Sequence, residues 1–209
     1  MTPSTPSSPD AVRLRRATLE DWPMIRRWLG QPEVIRWWGP RATTEAEVML
    51  AIGTPQAICR IIEAPAPALP GAPAADSRWL AVGYAHALDA GLVGPPRLDV
   101  LPPGSWQVDV FVASAEHRGR GIGGMALLLI RDEVFETTLA LAAAAYVAVG
   151  NEKAVRAYEQ AGFKWRAIAR DPDRGAEWLM LADRAGPLPV GLRPHGGAHG
   201  DPGGTPRLL

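Results

Sequence analysis

The sequence predicts an α/β (α+β) fold, because strand-type and helix-type patterns alternate along one chain of 209 residues. Three observations carry this prediction, and the first two are patterns of apolar residues. Six to seven short runs have the β-branched or alternating residues of strands, and about four longer segments repeat apolar residues at helical spacing. A third is a glycine-rich turn that joins one strand directly to the longest helix. With 47% hydrophobic residues, the chain can bury the core of one domain.

Each predicted strand is short and is bounded by turn residues. The strands are 12–15, 57–62, 79–88, 106–112, 141–149, 163–169 and 176–181. The last two form a hairpin around the turn at 171–175, which contains Asp171-Pro172 and Gly175.

The predicted helices have recognisable ends. Thr18 is a candidate N-cap for a helix that runs to Gly30, with acidic residues in its first turn, where the helix dipole favours anions. A short segment follows at 32–38, and further helices are predicted at 44–52, 121–139 and 152–161. Gly162 suits the position just after the last of these helices.

The ends and two internal stretches lack a core-forming pattern. Residues 1–10 and 186–209 are predicted to be disordered tails around a domain at 11–185. Residues 64–77 are rich in proline and alanine and are predicted to form a surface loop, and 91–105 form a second irregular stretch.

Composition argues against several classes of protein. The formal net charge is zero, so neither nucleic acid nor a membrane is an expected partner. Cys59 is the single cysteine and is expected to be a buried apolar residue. Without a signal peptide or a run of about 20 apolar residues, a cytoplasmic protein is expected. No metal site is expected, because His195 and His199 have no third ligand nearby except Asp201.

A glycine-rich turn at Arg118–Gly124 follows the strand at 106–112 and opens a helix. Glycines allow close backbone approach, and the first turn of a helix presents unpaired N–H groups, so this turn suits an anion such as a pyrophosphate. The arginines of the turn would add positive charge. The spacing fits a dinucleotide fingerprint poorly, and no Gly-Lys-Ser/Thr of a P-loop follows. A turn without a ligand is the alternative.

A second pattern lies at 149–163. Asn151 suits an N-cap, and Tyr158 lies two turns later on the same helical face. Alone, this segment would be interpreted as a capped amphipathic helix with a core tyrosine.

Together, Arg118-x-x-Gly121-x-Gly123 and N-x-x-A-x-x-x-Y-E-x-x-G-F resemble the two signatures of the GNAT acetyltransferase superfamily, over about 12–183. The resemblance implies the GNAT fold, with a mixed, mostly antiparallel central sheet of six to seven strands flanked by about four helices. It implies acetyl-CoA as cofactor. Tyr158 would be the general acid that protonates the leaving thiolate. The residues implied to contact the cofactor are Val110, Phe111, Val112, Arg118, Gly119, Arg120, Gly121, Ile122, Gly123, Gly124, Asn151 and Tyr158.

The N-terminal half resembles the aminoglycoside 6'-N-acetyltransferases and the related acyltransferases that modify lysine in siderophore assembly. The segments concerned are 13–15, 28–29, 34–39, 83–85 and 108–109. The resemblance implies that a small cationic molecule with a primary amine is the acceptor. The residues implied to bind it are Trp37, Trp38, Tyr84, Asp99 and Asp109.

Asp109 is the candidate that binds the acceptor amine and accepts its proton. By strand alternation it faces the same side as Gln107 and Phe111, and a solvent-facing strand residue is the alternative. The chain departs from the aminoglycoside enzymes in having only Asp99 as an acid in the 91–105 loop, and Tyr146 where a further aspartate is expected.

Other interpretations stay open at this point. They are a siderophore or lysine-type N-acyltransferase, a non-catalytic domain that binds acyl-CoA, and a protein acetyltransferase. A monomer or a homodimer is expected.

Overall fold

A computed structural model of the chain describes residues 12–66, 78–92, 101–172 and 174–189. Seven strands lie in these ranges: β1 Arg13–Arg16, β2 Ile58–Pro65, β3 Trp79–Asp89, β4 Ser105–Val112, β5 Ala142–Ala148, β6 Lys164–Asp171 and β7 Gly175–Asp183. Five α-helices accompany them: α1 Trp22–Leu29, α2 Pro32–Trp38, α3 Arg41–Gly53, α4 Ile122–Thr137 and α5 Glu152–Gln160.

The strands form one sheet in the order β1-β2-β3-β4-β5-β7-β6. Neighbouring strands are antiparallel except β4 and β5, which are parallel. The prediction of a mixed, mostly antiparallel sheet of six to seven strands is therefore confirmed. The prediction of about four helices is one short, because the segment that begins at Pro32 forms a helix of its own.

The parallel pair β4–β5 is joined only at its beginning. Its register runs from Ser105↔Ala142 to Gln107↔Ala144, although β4 continues to Val112 and β5 to Ala148. Beyond Gln107, the edge of β4 that faces β5 has no strand partner within the described ranges. The centre of the sheet therefore has an opening between two parallel strands.

Apolar residues bury both faces of the sheet. On one face, Val108 packs with Ile130 of α4 and with Tyr158 of α5. On the other, Phe111 packs with Ile25 of α1 and Val48 of α3. Because alternate residues of β4 point to opposite faces, this strand belongs to both cores.

Two elements extend three residues beyond their predicted bounds. The α3 helix begins at Arg41, so Thr44 lies inside it, where its hydroxyl donates to the Pro40 carbonyl at 3.1 Å. Strand β2 extends to Pro65 because it pairs with β3 as far as Pro65↔Trp79. Ala64 and Pro65 thus belong to the sheet, whereas 67–77 lie outside the described residues. The predicted tail 1–10 and residues 190–209 of the other predicted tail also lie outside them.

Arg184 connects the end of β7 to the C-terminus of α4. Its guanidinium donates to the carbonyls of Phe135 (2.6 Å), Thr138 (2.9 Å) and Ala140 (2.6 Å). These carbonyls lie where the helix no longer supplies partners, so the arginine caps α4 from outside. None of the described helices is long and apolar enough to cross a membrane.

Candidate active site

The glycine-rich turn forms the N-terminus of α4. Gly119 and Gly121 have φ values of 73° and 79°, a left-handed conformation that favours glycine. Gly121 is the N-cap, and the helix's first bond is donated by Met125 N–H to the Gly121 carbonyl. No side chain caps this end. The first N–H groups, those of Ile122, Gly123 and Gly124, precede that bond and are available to an anion.

The two arginines of the turn differ in placement. Arg118 points inward: its Nε donates to the Val112 carbonyl at 2.8 Å, and its Nη2 donates to the Ala113 carbonyl at 2.8 Å and to Gln31 at 2.9 Å. Its guanidinium therefore fixes the turn to the end of β4. Arg120 is exposed beside the glycines and is free to face an anion in solvent.

Tyr158 enters the opening beside β4 from α5. Its hydroxyl donates to the Val108 carbonyl at 3.2 Å, and its ring meets Phe163 edge-on with centroids 5.1 Å apart. Burial raises the pKa of Tyr158 well above its ordinary value, the Asp109 carboxylate raises it further, and a hydrogen bond with the Val110 backbone opposes both. The phenol therefore keeps its proton near neutral pH, as a general acid must.

The remaining predicted cofactor contacts lie around the same opening. Val110 and Val112 belong to the part of β4 beyond its pairing with β5. Phe111 is 8% exposed and pairs with Tyr84 of β3, so its contact with a cofactor stays a prediction. Asn151 caps α5 by accepting the Ala154 N–H at 3.2 Å, which confirms it as an N-cap. Its contact with a cofactor stays a prediction.

Asp109 lies on the face of the sheet that Gln107 and Phe111 share, as strand alternation predicts. Gln107 Nε2 donates to Asp109 Oδ2 at 2.8 Å, and the Asp109 side chain is 19% exposed. His86 Nε2 lies 3.6 Å from the same oxygen, because His86 is opposite Asp109 in the β3–β4 register. The carboxylate is thus half-buried in a polar cluster and is not a fully solvated strand residue.

His86 is a member of this cluster that sequence reasoning missed. Burial lowers its pKa, with Arg174 acting in the same direction and Asp109 opposing them, so the imidazole is neutral at pH 7. The sequence showed only that His86 lies in a predicted strand, three residues after Gly83. It did not show that His86 is opposite Asp109, because the register between two strands cannot be determined from one strand alone.

The two predicted tryptophans border the cluster differently. Trp38 meets Phe111 edge-on at 4.8 Å and His86 at 5.8 Å between ring centroids. Trp37 is half-buried, donates to Glu33 at 3.1 Å and lies near Gly150, at the turn between β5 and α5. Trp38 therefore belongs to the wall beside Asp109.

Tyr84 is a correction to the predicted acceptor-binding set. It is 0% exposed and packs in the core with Phe111, at 6.0 Å between ring centroids. Its ring lies beneath the wall of the site, 5.6 Å from the His86 ring and 6.5 Å from the Trp38 ring between centroids, and presents no surface to a ligand. Asp99, the other predicted acid, lies outside the described residues.

Two further charged residues were missed because they come from a distant hairpin. Arg174 forms an ion pair with Glu47 of α3 at 2.5 Å, and Glu177 of β7 is 2% exposed. The carboxylates of Asp109 and Glu177 both act on the Arg174 guanidinium and raise its pKa. Across the described ranges, no three His, Cys, Asp or Glu side chains are grouped to hold a metal ion. Burial raises the pKa of the Cys59 thiol, which makes it a poor nucleophile.

Comparisons with known proteins agree with this geometry. The Acetyltransferase (GNAT) domain family matches residues 11–164. The aminoglycoside N(6')-acetyltransferase type 1 of Klebsiella pneumoniae is 26% identical over 185 residues, which cover 86% of this chain and 87% of that protein.

Two solved structures of the aminoglycoside acetyltransferase AAC(6')-Ib have the same fold. The complex with paromomycin and acetyl-CoA is 24% identical, with a TM-score of 0.65, and covers 84% of this chain and 94% of its own. The complex with coenzyme A and kanamycin is 22% identical, with a TM-score of 0.65, and covers 83% of this chain and 95% of its own.

Proposed function

Because the chain belongs to the GNAT acetyltransferase family, we propose that it transfers the acetyl group of acetyl-CoA to a primary amine of a small cationic molecule, the 6'-amine of an aminoglycoside. The observation that carries this proposal is the placement of Tyr158 and Asp109. The Tyr158 hydroxyl reaches the Val108 carbonyl of β4 from one face of the sheet, and the side chain of Asp109, the next residue of β4, lies on the other face. A domain that only bound acyl-CoA would need neither group.

The residues around the opening fit acetyl-CoA. Open space surrounds Gly119 and Gly121, and the uncapped N-terminus of α4 suits the pyrophosphate, with Arg120 beside it. The edge of β4 at Val110–Val112 that faces β5 has no strand partner among the described residues, although the Val112 carbonyl accepts from Arg118. The backbone of Val110 suits the amides of the pantetheine arm, which can pair with it as a strand would. The pyrophosphate and the pantetheine arm of acetyl-CoA would therefore each lie beside backbone groups that can hydrogen-bond to them.

The reaction needs one proton acceptor and one proton donor. An ammonium ion has no lone pair, so Asp109 binds it and removes a proton before attack. The amine nitrogen bonds to the thioester carbonyl carbon, the carbon–sulfur bond breaks, and Tyr158 gives its proton to the departing thiolate. The nitrogen loses its second proton as the amide forms, and that proton restores the Tyr158 phenol, while Asp109 releases the first proton to solvent. Gln107 holds the Asp109 carboxylate by a hydrogen bond, and the neutral His86 lies 3.6 Å from it.

The acceptor proposal draws on the named relative and on the cluster around Asp109. The carboxylate attracts an ammonium group, and Trp38 supplies a flat aromatic wall for a sugar ring. An enzyme that modifies an aminoglycoside in this way would work in the cytoplasm and confer resistance.

The test is a thiol-release assay with acetyl-CoA against aminoglycosides, polyamines and lysine derivatives. We expect the fastest release with aminoglycosides that carry a 6'-amine, and none from that position with a 6'-hydroxy analogue. Release with lysine derivatives alone would instead support a siderophore-type acyltransferase. Absence of release with every amine would overturn the proposal.

A further inference from the structure

A cation of the chain itself reaches into the acceptor face. Arg174 follows the β6 strand in the hairpin, where its backbone N–H donates to Asp171 Oδ1 at 2.9 Å. Its side chain crosses to α3 and pairs with Glu47 at 2.5 Å. A Cβ on Gly39, at the end of α2, would lie 3.0 Å from Arg174 Nε. The guanidinium is therefore held between the hairpin and the α2–α3 junction.

This guanidinium is more buried than its partner. The Arg174 side chain is 14% exposed, against 49% for Glu47. Burial alone would lower the pKa of Arg174, but the carboxylates of Glu47, Asp109 and Glu177 outweigh burial and raise it. Arg174 lies against Gly39, the residue after Trp38; the Trp38 ring is 5.8 Å from the His86 ring, and His86 Nε2 is 3.6 Å from Asp109. The arginine thus lies within electrostatic reach of the carboxylate that the proposed function assigns to the acceptor amine.

We propose that Arg174 is a built-in cation of the acceptor site that limits the affinity gained from each further positive charge of an acceptor. The inference rests on the proposed function in one respect: Asp109 is taken to bind the reacting ammonium. The fixed charge of Arg174 partly neutralises Asp109 and Glu177, and every additional ammonium group of a ligand is repelled by it. This repulsion therefore weakens the binding of a polycation much more than the binding of a monoamine.

A purely structural latch is the competing explanation of the Arg174–Glu47 pair. Loss of either partner would loosen a latch in the same way. The two explanations separate because removal of the charge on Arg174 or on Glu47 changes the field at Asp109 in opposite directions.

The experiment uses calorimetry with CoA present, and its probes are kanamycin, which has several amines, and glucosamine, which has one. We expect Arg174→Gln to bind kanamycin about tenfold more tightly than the wild type, with a much smaller gain for glucosamine. Glu47→Gln should bind kanamycin more weakly. Arg174→Lys, which keeps the charge, should resemble the wild type.

Arg170→Gln is the matched control, because Arg170 lies on the same hairpin and is exposed. It removes the same charge away from the site, so kanamycin affinity should change little. CoA affinity should be unchanged in all variants. If Arg174→Gln does not fold, Arg174→Met keeps a long side chain without the charge and is expected to show the same gain.

Unchanged or weaker kanamycin binding by Arg174→Gln and Arg174→Met would overturn the inference. Tighter kanamycin binding by Glu47→Gln, the same change as is expected for Arg174→Gln, would also overturn it. The failure of the proposed function is distinguishable, because it would appear in the wild-type thiol-release assay. A wild type that acetylates no aminoglycoside, combined with a gain of kanamycin binding in Arg174→Gln, would still support the inference. No kanamycin binding by any variant would contradict it.

Discussion

Replacing Tyr158 with phenylalanine tests the assignment of the general acid. The change removes one hydroxyl, which donates to the Val108 carbonyl at 3.2 Å, and leaves the ring contact with Phe163 intact. The lost hydrogen bond is neutral, so the free energy of unfolding should fall by only about 1 kcal/mol. For a domain of this size, that is a fall of roughly 2–4 °C in Tm.

The effect on catalysis should be much larger. A positioned general acid contributes about 10²–10⁴-fold, so kcat should fall within that range while CoA affinity stays nearly constant. Thiol release at saturating substrate gives kcat, and calorimetry with CoA gives the affinity. Tyr84→Phe is the matched control, because it removes a hydroxyl from a fully buried tyrosine that the structure places in the core.

Two results would refute this reasoning. An unchanged kcat in Tyr158→Phe would mean that water protonates the thiolate. A fall in kcat that Tyr84→Phe reproduces would mean that loss of a core hydroxyl disturbs the sheet, and that neither phenol acts on the reaction.

Three further predictions concern stability. Arg184→Ala should lower the free energy of unfolding, measured by urea titration, by about 2–3 kcal/mol, because the guanidinium donates to three carbonyls. Arg184→Lys should recover little of that stability, because an ammonium lacks the planar fork of the guanidinium. Full recovery by lysine would show that the charge alone matters. Gly83→Ala should cost about 3 kcal/mol, since its Cβ would lie 2.3 Å from the Phe111 carbonyl oxygen, and wild-type stability would mean that the strands are not so close. His86 has a lowered pKa when folded, so below about pH 6.5 the unfolded state binds more protons, and stability should fall by up to about 1.4 kcal/mol per pH unit as the pH drops toward 5. His86→Gln should make that part of the profile shallower, and an identical slope in the variant would disprove the contribution.

The sequence was informative where the relevant pattern is local. Alternation in β4 correctly placed Asp109 with Gln107, and the cap at Asn151 follows from its own neighbours. The failures depend on partners far along the chain. His86 became visible only through the register between β3 and β4, and Arg174 only through the crossing of its hairpin to α3.

Motif matching also left the direction of side chains open. Arg118 satisfies the GNAT signature, yet its guanidinium binds the backbone at the end of β4 and not the solvent side of the turn. Tyr84 satisfies a resemblance in the N-terminal half, yet the packing of Trp38 and Phe111 buries it completely. Which face a residue takes is decided by tertiary packing, and a motif does not encode it.

The measurement that tests the central claim most directly is kcat/KM for kanamycin in the wild type and in Asp109→Asn. The amide keeps the size of the side chain and can still pair with Gln107, so folding and CoA affinity should survive. Because binding of the ammonium and removal of its proton depend on one carboxylate, kcat/KM should fall by about 10²-fold or more, through both KM and kcat. A folded Asp109→Asn enzyme that acetylates kanamycin at the wild-type rate would contradict the account.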